Sequence, residues 1–495
     1  MRKITAISLT ATIATLSGCG IFSPSYHQPA IDVPTSTRSG IKIESGTIES
    51  STTDYSQLQW WKKVNDPVLN QLIILALSNN AQIQVAQGNI MKAQASLKAA
   101  QYAWIPTLNG VGGGFAGNSW ATSLTPQGAL AANPAVQSGN LANSNFSGLY
   151  GGFMPTYSFN VFANINQTKL AKATLDMQQA IYNATRLTII GQVSGGYFTL
   201  LAQKKQLLLQ QQMIADLKEL RRLEMIQVQN GAADLGNIAI YDQAITTYQA
   251  KIPAIENSIS QTENALRVLI NQNPGPIVTN GSIDKLITDN IIPANIPSSV
   301  LKSRPDIIQA EDSLKIANAN VGLANSQFFP TISLTGFAGG VSEALSNLFN
   351  VGTGFWMGSA MASMSILDAS AYERVKAEKG DYYAQYYSYV QTVKSAFQNV
   401  DNSLTNKQNM DKVYAETYKS YQYANDYYKV NQVQFKAGNS AMNNVLQAKL
   451  NLDNAGLSLL QAKSQQLDAI VQVYQALAVG YAAESELSKP QKLPE

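Results

Sequence analysis

The stretch from Arg304 to Gly336, RPDIIQAEDSLKIANANVGLANSQFFPTISLTG, decides the fold. It predicts a helix that runs into a strand. Pro305 stands in a first helical turn, where its missing N–H costs no hydrogen bond, and alanine and apolar residues then recur at helical spacing. Phe328, Phe329 and Pro330 end that run. From Thr331 the period becomes two, with Thr331, Ser333 and Thr335 alternating with Ile332 and Leu334.

The same succession occurs earlier, where Ile83, Ala86, Ile90, Ala93, Ala95 and Leu97 lead to Trp104, Ile105, Pro106, Thr107 and Leu108. A shift of about 224 positions carries Ala86 onto Ala310, Ala93 onto Ala317, Ala95 onto Ala319 and Pro106 onto Pro330, which marks a tandem duplication. The first repeat is predicted over 66–273 and the second over 304–486, with a proline-bearing connector at 274–303 and a tail at 487–495.

Within each repeat the period predicts two strands and then two long helices. The strands are expected at about 107–117 and 148–162, and again at about 331–341 and 355–367, long enough to cross a bilayer as tilted strands of about 9 to 11 residues. Leu149, Phe153, Tyr157, Phe159 and Val161 fall on one face, with Gly152, Thr156, Ser158 and Asn160 on the other. In the second repeat Trp356, Ala360, Met364 and Ile366 alternate with Ser359, Ser363 and Ser365. Each strand thus carries one apolar face and one small, polar face.

The helices are expected at about 164–230, 235–272, 370–437 and 442–484. A helix over 164–230 would reach on the order of 100 Å at about 1.5 Å per residue. Ile238, Tyr241, Ile245, Tyr248, Ile252, Ile255, Ile259, Thr262, Leu266 and Leu269 keep a three-four spacing over about four heptads, the mark of a coiled-coil seam. Pro253 falls inside it, where a bend is expected. A shift of about 207 positions carries Gly231 to Gly438 and this seam onto Val445, Ala448, Leu452, Ala455, Leu459, Ala462, Gln466, Ala469, Val473 and Ala476. Gly231 and Gly438 are read as left-handed residues that end one helix and turn into the next.

Of the residues, 45% are apolar and 14% charged, so the chain can bury a large core; the formal charge is +3, about +1 without the leader, and suggests no nucleic-acid partner. MRKITAISLTATIATLSGC has a basic start, an apolar run and small residues before the only cysteine, which predicts a secretory signal over 1–18. Leu16-Ser17-Gly18-Cys19 resembles the bacterial lipoprotein box, with Cys19 as the lipidated first residue and 19–65 as a tether. Past the leader no apolar run reaches the roughly 18 residues of a spanning helix, so a membrane crossing requires a barrel. Four lone strands cannot close one, and unpaired edges in lipid are costly, so several chains must share it.

A single histidine, His27, and a single cysteine leave no metal site or Cys/His pair, and the glycines from Gly110 to Gly117 precede no phosphate-binding helix. No catalytic residues are assigned.

The lipobox at Cys19, Trp60-Trp61 with Asp66-Pro67, Ile296-Pro297, the Arg304 block and the two post-hairpin glycines closely resemble the outer membrane factor family, the TolC-like exit ducts of tripartite efflux pumps, in its lipoprotein branch. The resemblance covers nearly the whole chain. It implies a mixed α+β membrane protein, a homotrimer whose protomers give four strands each to a twelve-stranded β-barrel. A long α-helical coiled-coil barrel would continue it across the periplasm, with a small equatorial domain. It implies a place in the outer membrane of a Gram-negative bacterium, diacylglycerol and palmitate on Cys19 and no other cofactor. The expected partners are outer membrane lipid, a periplasmic adaptor and an inner-membrane transporter.

The turns at Gly231, Ala232, Gly438 and Asn439 are the expected adaptor-docking region. Relatives commonly place a Leu and, four residues later, an Asp toward the pore axis. The matching positions here are Asn443 and Gln447, so amides are expected to close the periplasmic aperture, with Asp234 and Asp242 as alternative carboxylates. Drug efflux, protein secretion and a lipid-anchored envelope coiled coil or adhesin remain open at this level; the one-sided strands favour a duct.

Overall fold

The computed structural model describes residues 26–29, 43–44, 55–119, 144–279, 281–286, 296–297, 303–350, 352 and 354–482. The predicted signal at 1–18 and the lipidation site Cys19 lie outside them. In chain order the elements are β1 (Ile43–Glu44), α1 (Pro67–Asn79), α2 (Ala81–Tyr102), β2 (Thr107–Ser119), β3 (Ser144–Phe159), α3 (Val161–Gln229) and α4 (Gly236–Leu269). There follow β4 (Ile296–Pro297), α5 (Pro305–Ser326), β5 (Thr331–Ser342), β6 (Gly354–Ser363), α6 (Ala369–Lys436) and α7 (Met442–Ala476). Helix, two strands and two long helices therefore occur twice.

Side chains punctuate these elements. The Asp66 carboxylate accepts from the backbone N–H groups of Val68 at 2.9 Å and Leu69 at 3.2 Å, and Pro67 needs no donor, so α1 begins there. Asn80 does the same for α2 through Gln82 and Ile83, while its Nδ2 donates to the Leu269 carbonyl at the end of α4. Asn160 ends β3 and opens α3: its Oδ1 accepts from Ala163 N–H and its Nδ2 donates to the carbonyls of Ser326 and Phe329. Val161 is accordingly the first helical residue and not part of the strand's apolar face.

The chain divides into two units. One holds residues 94–173 and 315–384 and contains a four-stranded antiparallel sheet in the order β2-β3-β5-β6. Its register places Phe153 between Gly110 and Ala338, and Leu334 between Tyr157 and Ala360. The other unit holds 28–93, 174–314 and 385–495. Its core gathers Trp60, Leu69, Ile73, Ile189, Tyr197, Phe198, Leu200 and Tyr474, all of them essentially inaccessible. Each aliphatic or Phe side chain buried in this way contributes about 1.5–3 kcal/mol. The segment after α7 is held to this core: Arg186 Nε donates to the Tyr481 carbonyl at 2.6 Å, Tyr481 Oη to the Ser303 carbonyl at 2.9 Å, and Arg304 to the Ala476 carbonyl.

Several boundaries differ from the sequence reading. The tether expected over 19–65 takes in Tyr55–Val64, whose Trp60 and Trp61 are 1% and 2% exposed, because two indoles in one turn cannot stay in water while a core is within reach. The connector at 274–303 likewise sends Ile277, Ile283 and Leu286 into that core, and Ile296–Pro297 pairs in parallel with Ile43–Glu44. The helix expected to reach residue 484 ends at Ala476, where Ala478 turns left-handed at φ +49°. Met364 and Ile366 lie beyond β6 and are exposed. Helix α4 contains Pro253, the position at which the bend is expected.

Candidate functional site

Two regions carry the features from which a duct is built: the faces of the sheet and the turns between the long helices. The four strands contain no charged residue. The register puts Leu108, Phe153, Tyr157, Phe159, Ile332, Leu334, Trp356 and Ala360 on one face with Pro155, glycine and alanine between them, and this face gains serines, Ser147 and Ser342, only toward the hairpin ends. Phe153, Leu108 and Trp356 are exposed, Trp356 at 82%, as befits a surface whose solvent is lipid.

On the opposite face the hydroxyls of Thr107 and Thr156 lie 2.7 Å apart, Ser158 and Ser333 3.2 Å apart, and Asn109 Nδ2 donates to Thr156 Oγ1. These residues occupy the ends of the strands that join the helices. Towards the hairpin ends the same face changes character and presents Phe115, Tyr150, Met154, Phe337, Phe355 and Met357. The expectation of a small, polar face therefore applies only to the helix-side half. Phe337 and Ala338, or Phe355 and Trp356, are apolar neighbours, so alternation gives no signal there.

The helical turns are two copies of one device. At Gly231, φ +78°, the Gly231 N–H donates to the Val228 carbonyl and Ala232 N–H to the Gln227 carbonyl; at Gly438, φ +76°, Gly438 and Asn439 donate to Phe435 and Gln434. Both are Schellman closures, and nothing lies within 4 Å of where a Cβ on either glycine would stand. Ala232 and Asn439 are exposed. The seam predicted from Ile238 packs as expected: Tyr241, Ile245 and Tyr248 of α4 share a cluster with Met213 and Leu217 of α3 and Val445 and Leu446 of α7.

Of the four candidate gate residues, Asn443 is half-buried and Gln447 exposed, one turn apart on α7. Asn443 Nδ2 donates to Asn237 Oδ1 at 3.3 Å, and Asn237 Nδ2 donates to Glu224 Oε1 at 2.7 Å, so a polar chain ties α7 to α4 and α3 within one protomer. Asp234 accepts from Gly236 N–H at 2.7 Å and shapes the entry to α4. Asp242 is gripped by Arg221 through two hydrogen bonds, Nε to Oδ1 at 2.6 Å and Nη2 to Oδ2 at 3.0 Å, and this holds its carboxyl below the usual carboxylate range.

Sequence reasoning missed two buried polar groups. Glu224 is 1% exposed. Lys449 of α7 reaches Asp216 of α3 at 2.9 Å and Asp453 at 2.6 Å and lies over the Tyr428 ring of α6. Burial pulls the Lys449 ammonium down, but Asp453 and Asp216 outweigh it and hold it above the ordinary lysine range; burial also raises Asp453 against the pull of Lys449. The signal available was a Lys and an Asp four residues apart beside the apolar seam; the partner Asp216 gave none.

The family model described as outer membrane efflux protein matches residues 72–272 and 296–479. A probable efflux pump outer membrane protein of Pseudomonas putida, TtgC, is 26% identical over 483 residues, 96% of this chain and 95% of its own. A probable outer membrane lipoprotein of Salmonella typhimurium, SilC, is 25% identical over 410 residues, covering 82% of this chain and 83% of that one. Among solved structures, the outer-membrane channel OprN superposes with a TM-score of 0.79 at 20% identity, over 93% of this chain and 99% of that one. The open state of the Neisseria gonorrhoeae MtrE channel superposes with a TM-score of 0.78 at 26% identity, over 92% and 98%.

Proposed function

The chain belongs to the outer membrane efflux protein family, and we propose that it works as a homotrimer through which drugs or other small toxic molecules leave the cell. It is the outer membrane exit duct of a tripartite efflux system. In our reading Cys19 carries the lipid, and the barrel, closed by three copies, holds the chain in the membrane. A periplasmic adaptor docks on the turns at Gly231, Ala232, Gly438 and Asn439 and links the duct to an inner-membrane transporter.

The observation that carries this reading is the uncharged four-stranded sheet, apolar on one face and hydroxyl-bearing on the other at the helix side, whose outer strands β2 and β6 have free edges among the described residues. An open edge in lipid leaves backbone groups unpaired, and pairing β6 of one copy with β2 of the next removes every edge. β2 and β6 run in opposite directions, so such pairing continues the antiparallel order around a ring. Organic cargo is our reading; the relatives include a toluene efflux pump outer membrane protein and an antibiotic one, and also cation efflux system proteins. The amides of Asn443 and Gln447 close the resting aperture in this account.

The test is susceptibility. Restoring the gene to a strain from which it has been deleted should lower sensitivity to antibiotics and organic solvents; unchanged sensitivity with trimer present in the outer membrane would count against drug efflux.

A further inference from the structure

The hairpin-side half of the hydroxyl-bearing face has a construction that a water-filled duct does not require. Two aromatic rings reach over glycines of that same face. A Cβ on Gly113 would stand 2.8 Å from the Tyr150 hydroxyl and one on Gly148 2.7 Å from the Phe115 ring, whereas one on Gly339 would meet the backbone of Gly151 and Gly152 before the Phe337 ring. The missing side chains are what let the rings lie down. Phe337 and Phe355 are 5.2 Å apart with planes 36° from one another, and Met357 adds a polarizable thioether that stands 59% exposed. Together with Thr335 and Ser359 these groups line an open cavity of about 500 Å³. That volume is of the size that small organic ligands fill.

We propose that this aromatic wall is a transit subsite for neutral, planar or alkyl-bearing organic molecules, on the inner surface of the barrel near its outer mouth. The proposal rests on the duct reading, because the hydroxyls of Thr107, Thr156, Ser158 and Ser333 are what turn this face toward water. The occupant follows from the chemistry of the wall. No charged side chain occurs on the four strands, so ionic cargo finds no partner. Flat rings and a thioether offer stacking and dispersion, with the hydroxyls of Thr335 and Ser359 at the border for one polar group. Separate rings offer weak, multiple contacts, and a duct needs binding strong enough to draw cargo forward and weak enough to release it.

The experiment uses full-length protein in planar bilayers. The probe is 4-nitrophenyl glucoside, neutral, water-soluble and aromatic, compared with methyl glucoside, which has the same sugar and no ring. The wild-type channel should be blocked by the aryl glucoside at concentrations roughly tenfold lower than by the methyl glucoside, and Phe337→Ser/Phe355→Ser should weaken that block roughly tenfold, as removal of two stacking partners implies. Phe153→Ser, on the opposite face, should leave the aryl block unchanged. Equal aryl block in wild type and the double variant overturns the subsite; if the double variant forms no channels, Phe337→Ser alone is judged by the same comparison. A conducting channel that does not distinguish the two glucosides overturns the subsite and leaves the duct standing, whereas absence of any conductance in wild type and in Asn443→Ala/Gln447→Ala alike overturns the duct and the subsite with it.

Discussion

The ring of Trp60 lies 4.5 Å from that of Tyr474 with the two planes 9° apart, so the segment that precedes the first repeat is stacked on the last helix of the second. Trp61 meets Trp60 edge-on at 6.0 Å, and the backbone N–H groups of Gly480 and Ala482 donate to the carbonyls of Tyr55 and Ser56. Trp60→Ala removes a fully buried indole from this closure and should cost about 3–5 kcal/mol, read as a lower thermal midpoint and a smaller yield of trimer. Trp60→Phe, which keeps a ring, should recover most of it.

The helical turns give a prediction in which folding and function separate. Ala232 and Asn439 are exposed beside their glycines, so Ala232→Glu and Asn439→Trp leave the helix ends intact. Both should abolish drug resistance with normal amounts of trimer in the outer membrane. Retained resistance would remove these turns from the adaptor contact. Gly438→Val, by contrast, forces a β-branched residue to φ +76° and should lower stability by about 1–2 kcal/mol.

Asp468 on α7 supplies a pH test. Burial raises its carboxyl to about 6. An acid whose folded pKa lies above its unfolded value binds its proton more tightly in the native state, so stability falls as pH rises from about 4 to 6 and stays reduced above that window. Asp468→Asn should therefore stabilise the protein by about 1–3 kcal/mol at neutral pH and by almost nothing near pH 4, which thermal melts at the two pH values measure.

At the periplasmic turns, Asn443→Ala breaks the bond to Asn237 and, combined with Gln447→Ala, should raise single-channel conductance. Conductance equal to wild type would exclude the amides as the closure. Arg221 neutralises Asp242 in the wild type, so block by divalent cations should be weak and should strengthen in Arg221→Ala, where a ring of free carboxylates is left.

Much of this architecture was legible because its periods are simple. The α4 seam from Ile238 to Leu269 repeats at three and four residues, and Tyr241, Ile245 and Tyr248 are buried as that spacing requires. Gly231 and Gly438 were legible as turns because only a residue without a Cβ adopts positive φ cheaply. The Asn443–Asn237–Glu224 chain joins residues about 200 positions apart in sequence through single hydrogen bonds, and no local pattern encodes such a pairing. The aromatic wall was hidden for another reason: with Phe337 beside Ala338 and Phe355 beside Trp356, both faces are apolar, and only the strand register separates them.

The central claim is that three chains share one barrel through the free edges of β2 and β6, and cysteine cross-linking tests it most directly. A cysteine placed at Asn109 on β2 is combined in the same chain with a second cysteine at one position of β6 at a time, from Gly354 to Ser363, and the membranes are oxidised. The account predicts that cysteines at β6 positions on the Asn109 face, and not their neighbours, give covalent species of two and three chains and no larger ladder. Cross-links confined within single chains, or none at any β6 position in trimers that otherwise form, would contradict it.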